Sequence, residues 1–453
     1  MTLYKKQDLE NWDKEYVWHP FTQMKDYQKS TPLIIEKGAG SYLYDIDGKR
    51  YLDGYASLWV NVHGHNIPAL NEALISQVHK VAHSTLLGSA NVPSILLAKK
   101  LTDITPGNLC KVFYSDTGSA SIEIALKMAY QYWKNIDAEK YKKKNTFISL
   151  DDAYHGDTIG SVSVGGMDLY HRIFEPLLFK RISLPSPHTY RMTEYGDAED
   201  VKNFCIQKLE SILEERADEI AGLIIEPLVQ GAAGIITHPQ GFLKKVENLC
   251  RKYDVLLICD EVAVGFGRTG TMFACEQEEV VPDLLCMGKG ITGGYMPLAA
   301  TITNQKIFNA FLGEKQEHKT FYHGHTYTGN QLSCSVALRN IQLMEQTSLV
   351  QKVQTNALFV KEKLQDLYQF DIVGDIRQRG LMIGIEIVKD KESKKIFPIQ
   401  EHKLDDIVLT AREKGLIVRQ LDQVLTFLPV LAMNQRELEE GIQIIYQSIS
   451  ENS

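Results

Sequence analysis

Two short stretches of this chain carry side chains whose order suits one kind of chemistry. An apolar run, Val255-Leu256-Leu257-Ile258-Cys259, ends in Asp260-Glu261, and a second, Leu284-Leu285-Cys286-Met287, ends in Gly288-Lys289-Gly290. Each places an ionisable group just past a strand that reads as buried. A carboxylate and an amine so placed suit pyridoxal 5'-phosphate. A lysine holds its aldehyde covalently, and a carboxylate keeps its pyridine nitrogen protonated. An opposite charge within about 4–6 Å favours the charged form of both partners. Burial would lower the lysine pKa, leaving an amine able to bond the aldehyde and to carry a proton. Taken singly, Asp260 also reads as a turn cap and Lys289 as a surface lysine.

A phosphate needs its own cradle. Lys111–Ser115 reads as a strand, Asp116-Thr117-Gly118-Ser119 as a tight turn, and a helix follows with Ile122, Ala125, Leu126 and Ala129 on one face. Gly118 lets the backbone approach an anion, Ser119 adds a hydroxyl, and the helix start offers N–H groups and the positive end of its dipole. The same turn alone is equally a capped helix start. Tyr154, in Tyr154-His155-Gly156-Asp157 after the run Thr146–Leu150, is placed to stack on a planar cofactor or to fill a domain junction. Arg419, after Leu416-Ile417-Val418, can clamp a carboxylate through its fork or pair at the surface. Gly265–Gly270 satisfies G-x-G-x-x-G, but Asp260–Val264 separate it from the strand and little helix can follow before Pro282, which weighs against a nicotinamide or flavin site.

These side chains require a frame. From about 105 to 305, β-rich runs (Lys111–Ser115, Thr146–Leu150, Arg181–Leu184, Gly222–Ile225, Val255–Cys259, Leu284–Met287, Ala299–Thr303) alternate with helical stretches such as Phe242–Tyr253. Near-continuous apolar strands joined by helices predict an α/β fold with a mainly parallel sheet covered on both faces. Beyond about 330, Ala357, Val360, Leu364 and Leu367 mark one helix face. Ile383, Ile385 and Ile387 read as a half-buried strand, Gly415 as a helix C′ residue and Gln435–Ser450 as a terminal helix. The division this predicts is an N-terminal segment over 1–60 packing with the small domain, a large α/β domain over 61–330 and a smaller α+β domain over 331–453.

A chain of 453 residues, 44% hydrophobic and 23% charged, has ample core-forming material for more than one domain. Its net charge of −8 and pI near 5.9 argue against nucleic-acid or anionic-membrane surfaces. The basic run Lys142-Lys143-Lys144 reads as a solvated helix end or loop. Seven cysteines with no CxxC pair predict a reducing, cytosolic compartment. The polar start, Met1 to Lys6, predicts no signal peptide, and no 18-residue apolar stretch predicts a membrane span.

In combination, Asp116–Ser119, Tyr154–Thr158, Glu226-Pro227, Asp260–Val262 with Gly265–Gly270, Gly288–Gly290 and His323–Tyr327 resemble the class III (ω-type) aminotransferases of fold type I, over about residues 15 to 445. The resemblance implies pyridoxal 5'-phosphate, a seven-stranded central sheet, and a homodimer with shared active sites. It implies catalytic roles for Lys289, Asp260 and Tyr154, and cofactor contacts from Gly118, Ser119, Tyr154, Asp260 and Lys289. His325 and Thr326 would reach the cofactor phosphate of the neighbouring subunit. Substrate contacts would come from Phe21, Leu58, Trp59, Tyr154, Gly324 and Arg419.

Trp18-His19-Pro20-Phe21-Thr22, Asp157-Thr158 and Ala263 are most similar to the branch that aminates 8-amino-7-oxononanoate in biotin biosynthesis. Three residues depart from it. Phe21 stands where members using S-adenosyl-L-methionine as amino donor usually have tyrosine, Leu58 where a second tryptophan is common, and His325 where proline is frequent. Losing a phenol and an indole removes a donor and a stacking face, which should change how the amino donor is held. The resemblance extends to members of this branch that use lysine, so the expected amino donor is L-lysine, with S-adenosyl-L-methionine the other candidate. Two alternatives stand beside this: another ω-aminotransferase acting on a diamine or β-amino acid, and a pyridoxal-phosphate-binding regulator without turnover. No metal is expected.

Overall fold

A strand buried on both faces must be apolar at nearly every position, and the seven runs singled out above are the seven strands of one sheet. The computed structural model describes residues 4–453; Met1, Thr2 and Leu3, the start of the polar N-terminus, lie outside the described residues. Across the sheet the strands are Leu109–Ser115, Ala299–Asn304, Leu284–Met287, Leu256–Asp260, Ile220–Ile225, Thr146–Leu150 and Ile182–Leu184. All neighbours are parallel except Ala299–Asn304, which runs antiparallel to both strands beside it.

Alternation along each strand sorts the core into two layers. Leu256, Ile258, Leu284 and Cys286 pack with Ile122, Ala125, Ala129 and Trp133 of the helix Gly118–Asp137. Leu257, Cys259, Leu285 and Met287 face the opposite way, toward the helices Ala198–Arg216 and Phe242–Lys252. Each fully buried Leu or Ile contributes about 1.5–3 kcal/mol. A charge at Leu257 or Ile258 would be stranded without a partner and break the layer.

The C-terminal region carries a second, antiparallel sheet in the order Val373–Arg379, Met382–Ile387, Val424–Phe427, Arg419–Leu421. The helices Leu349–Lys363, Lys403–Glu413 and Gln435–Glu451 accompany it. Gly415, at φ +92°, ends the helix Lys403–Glu413 as expected of a C′ glycine. The next residues, Leu416–Ile417, leave this region to pair in parallel with Arg50–Asp53. The N-terminal strands Ile35–Ala39, Tyr42–Asp45 and Arg50–Asp53 therefore share a sheet with the chain just before Arg419.

Three local readings are corrected. Met382–Ile387 is buried throughout rather than half-buried. A loop covers Gly384, whose added Cβ would lie 3.0 Å from the Gly234 carbonyl oxygen. Glu386 beside it is neutralised by Arg377 and Arg191. The Lys142–Lys144 run is not all solvated: Lys144 is buried, its Nζ donating to the carbonyls of Ala217, Ile220 and Asp254. Leu364 and Leu367 lie in a 3₁₀ turn, Leu364–Gln369, which continues the helix that ends at Lys363.

Candidate active site

Parallel strands deliver their C-terminal ends to one edge, and the residues that follow them meet there. A cavity of about 160 Å³ opens at this edge, lined by Trp59, Ser119, Tyr154, Glu226, Asp260 and Lys289 among others. Asp260 is the last residue of its strand and is buried. His155 Nδ1–H donates to its Oδ2 at 2.7 Å, and the Val262 N–H to its Oδ1 at 3.0 Å. Lys289, at φ +41°, opens the 3₁₀ turn Lys289–Thr292. Asn340 braces that turn, its Nδ2 donating to the carbonyls of Gly290 (2.9 Å) and Ile291 (3.0 Å). Burial lowers the Lys289 pKa, against the opposing pull of Asp260, Glu226 and Asp157.

On the opposite side of the cavity, Thr117 caps the helix Gly118–Asp137 by accepting the Ala120 N–H (3.2 Å). Ser119 Oγ accepts the Asp157 N–H (3.1 Å), so its own proton is left to donate. Gly156 has φ +119°, and a Cβ there would fall 1.9 Å from Ser119 Oγ, so only glycine fits. Tyr154 donates its O–H to Asp157 Oδ2 (2.8 Å), and burial together with that carboxylate pushes the phenol pKa far up. Glu226 accepts the N–H groups of Tyr154 (3.1 Å) and Gly231 (2.9 Å), and burial raises its pKa to about 7. This donor set fits pyridoxal phosphate. A hydroxyl and a helix start serve the phosphate, an amine serves the aldehyde and a carboxylate serves the ring nitrogen.

The outer wall is aromatic. Phe21 meets Tyr170 edge-on (5.4 Å between ring centroids), Tyr170 meets Tyr154 (6.3 Å) and Tyr55 meets Trp59 (6.1 Å). Arg419 interacts with both Tyr55 and Tyr170, lowering phenol pKa values that burial raises, in Tyr55 to about 12. The Lys289 amine lies 5.3 Å from the Trp59 ring centroid. Trp59 and Leu58 end a turn in which Ala56, Ser57, Leu58 and Trp59 have φ of +46°, +48°, +72° and +68°. That is a left-handed helical turn of four non-glycine residues, costing about 1–2 kcal/mol each.

Lys289, Asp260, Tyr154, Gly118, Ser119 and Trp59 thus line one cavity, with Phe21 and Arg419 in the aromatic wall outside it, while Leu58, next to Trp59, is exposed. Gly324, His325 and Thr326 do not line it; they sit on the loop before Tyr327, with His325 Nε2 4.0 Å from Asp116 Oδ1. Sequence reasoning passed over Tyr55, Tyr170 and Asn340, and gave no role to His155 or Glu226 within the motifs that contain them. Only their position after buried strands marked the last two. The Gly265–Gly270 motif precedes a 3₁₀ turn, Ala274–Glu278, rather than a helix, so it has no dinucleotide-binding form.

A carboxylate, a lysine and a helix start brought to one edge of a seven-stranded, mainly parallel sheet define a pyridoxal-phosphate enzyme of fold type I. The aminotransferase class-III family model matches residues 23–449, and the chain belongs to that family, whose members depend on this cofactor. It is 58% identical to the adenosylmethionine-8-amino-7-oxononanoate aminotransferase of Staphylococcus aureus, over 98% of this chain and 97% of that one. The crystal structure of the enzyme of that name from Methanocaldococcus jannaschii superposes with a TM-score of 0.93 at 46% identity, covering 99% of each chain. An ω-transaminase from Pseudomonas jessenii in complex with PMP superposes with the same TM-score at 32% identity, covering 98% of each.

Proposed function

We propose that this chain transfers an amino group from a donor amine to 8-amino-7-oxononanoate, giving 7,8-diaminononanoate. The near-complete, 58% identical match to a relative named for that acceptor carries the reading. When bound, pyridoxal phosphate supplies an aldehyde for the amine and a ring that draws electrons from the carbon bearing it. Asp260, oriented by His155 and the Val262 N–H, holds a proton at the ring nitrogen. With the cofactor bound, Lys289 Nζ would take the proton from the donor carbon and pass it to the cofactor's aldehyde carbon, as its lowered pKa allows. In the second half-reaction it would move a proton the opposite way, from that carbon to the acceptor carbon. Ser119 and the start of the helix Gly118–Asp137 bind phosphate. Tyr154 and Trp59, which line the cavity, would flank the bound cofactor and exclude water, and Arg419 would grip a substrate carboxylate.

L-Lysine is the donor in this reading, supported by Phe21 in the outer wall and by Leu58 in place of a tryptophan beside Trp59. A homodimer with shared sites is the assembly it implies. Its support is a surface of exposed apolar side chains at Leu87, Val92, Ile95 and Leu96, with Tyr327 exposed near His83. All seven cysteines are free and six are buried, which accords with a reducing cytoplasm; among the described residues no helix is long and apolar enough to cross a membrane. The test is a pair of half-reactions. L-lysine, but not S-adenosyl-L-methionine, should bleach the visible band of the loaded enzyme, and 8-amino-7-oxononanoate should restore it. Bleaching by the sulfonium compound alone overturns the donor assignment. Restoration only by a different keto acid or aldehyde overturns the acceptor.

A further inference from the structure

Nothing in the charge and proton transfers above requires the backbone at Ala56–Trp59 to be left-handed, yet four consecutive non-glycine residues are. Such a conformation persists only where its surroundings over-determine it. Asp53, at the end of the strand Arg50–Asp53, has a fully buried carboxylate. Its Oδ1 accepts the N–H groups of Ser57 (3.0 Å) and Tyr55 (3.4 Å). Its Oδ2 accepts Ser57 Oγ–H (2.8 Å) and His65 Nε2–H (2.9 Å). Two of these bonds fall on Ser57 within the turn, one on Tyr55 entering it and one on His65 beyond it. At its far end, Asn61 Oδ1 accepts the Gly64 N–H (2.7 Å), and buried Arg268 ties the Asn61 carbonyl (3.4 Å) to that of Pro429 (2.6 Å).

We propose that Asp53 is a positioning residue: its carboxylate holds Ala56–Trp59 left-handed, and that turn sets Trp59 against the Lys289 amine and leaves Leu58 exposed beside it. The proposal rests on reading Lys289 and Trp59 as site residues. A right-handed turn would point both side chains elsewhere, so losing the anchor alters the pocket without touching Lys289, Asp260 or Arg419. Glycine adopts left-handed φ without penalty, and Ser57→Gly should therefore restore what loss of Asp53 releases.

The experiment compares wild type, Asp53→Ala and Asp53→Ala/Ser57→Gly. One readout is hydrogen exchange of the Leu58–Asn61 amides in the cofactor-free protein. The other is kcat and KM in the loaded enzyme, for whichever amine the wild type accepts. Asp53→Ala should exchange these amides about tenfold faster and lose about tenfold or more in kcat/KM, mostly through KM, at unchanged cofactor content. Adding Ser57→Gly should bring both within about threefold of wild type. If Asp53→Ala does not fold, Asp53→Asn, whose amide oxygen keeps the N–H bonds but whose NH2 cannot accept from Ser57 Oγ or His65, carries the comparison with smaller changes in the same directions, again with and without Ser57→Gly. Unchanged amide exchange, or a kinetic loss that glycine does not rescue, overturns the proposal. A wild type that ignores 8-amino-7-oxononanoate overturns the substrate reading alone, because the comparison uses any accepted amine.

Discussion

Replacing Arg419 by methionine keeps the length of the side chain against Tyr55 and Tyr170 and removes only the fork and its charge. A charge-assisted, bidentate bond to a carboxylate is worth about 1.5–3 kcal/mol. At a factor of ten per 1.4 kcal/mol, that is roughly 10- to 150-fold. The figure belongs at the upper end if the bound substrate seals the half-exposed guanidinium between the two phenols, and at the lower end if water still reaches it. The variant should therefore raise KM for 8-amino-7-oxononanoate by that factor. Arg419→Lys, which keeps the charge but not the fork, should cost about a third to a half as much in free energy. The control is an alkylamine without a carboxylate, whose half-reaction should run within about twofold of wild type. Stopped-flow absorbance measures both. Equal losses with and without a substrate carboxylate, or no loss with the keto acid, would refute the reasoning, because Arg419 would then be shaping the wall rather than gripping an anion.

Borohydride reduction should fix the cofactor to a peptide containing Lys289, seen by mass spectrometry; Lys289→Ala should show no such adduct and no measurable turnover. Asp260→Asn can still accept the Val262 N–H and should fold. It loses the charge opposite the ring nitrogen, so single-turnover rates should fall about ten- to a thousandfold, the equivalent of 1–3 pKa units. Glu226 and Glu261 are both pushed up from 4.5 to about 7 by burial. Between those values the folded chain holds protons that the unfolded chain has released. Each of these two carboxyls therefore contributes up to about 3 kcal/mol of stability that is lost as pH rises from about 5 to 7, against an opposite contribution from His188 and His238, whose pKa burial lowers to about 3. In urea melts of the cofactor-free protein the stability difference between wild type and Glu261→Gln should fall by about that amount across this window. Asn340→Ala should leave the carbonyls of Gly290 and Ile291 without their donor. Its melting temperature should fall and its cofactor should dissociate faster, as gel filtration of the loaded enzyme would show.

The central sheet was legible because strands covered on both faces leave an unbroken apolar record, and each of the seven runs became a strand. The same record marked Asp260, Lys289 and Tyr154, since a polar residue directly after such a run lies at the sheet's edge. It did not distinguish the antiparallel strand Ala299–Asn304, whose composition matches that of its neighbours. Residues defined by distant partners left no local trace. Asp53 stands in an Asp-Gly pair that reads as an ordinary turn, and its work depends on Ser57 and His65 being folded over it. Asn340 reads as one polar position on a helix until Gly290 and Ile291 are placed beneath it. Glu386 predicted a solvated strand face because nothing nearby in sequence announces Arg191.

Most of the groups proposed to hold the cofactor and those proposed to meet the substrate come from separate parts of the chain, Trp59 being the exception. Asp260 ends a strand of the seven-stranded sheet and Lys289, Ser119 and Tyr154 follow its strands, whereas Phe21, Leu58, Tyr170 and Arg419 come from the N-terminal segment, a short helix and the C-terminal sheet. Drift in the second set can retune which amines and ketones enter without disturbing the chemistry beneath. A lineage built this way can explore new substrates while its catalytic apparatus stays constant, and redesign of its scope should begin at those four peripheral positions.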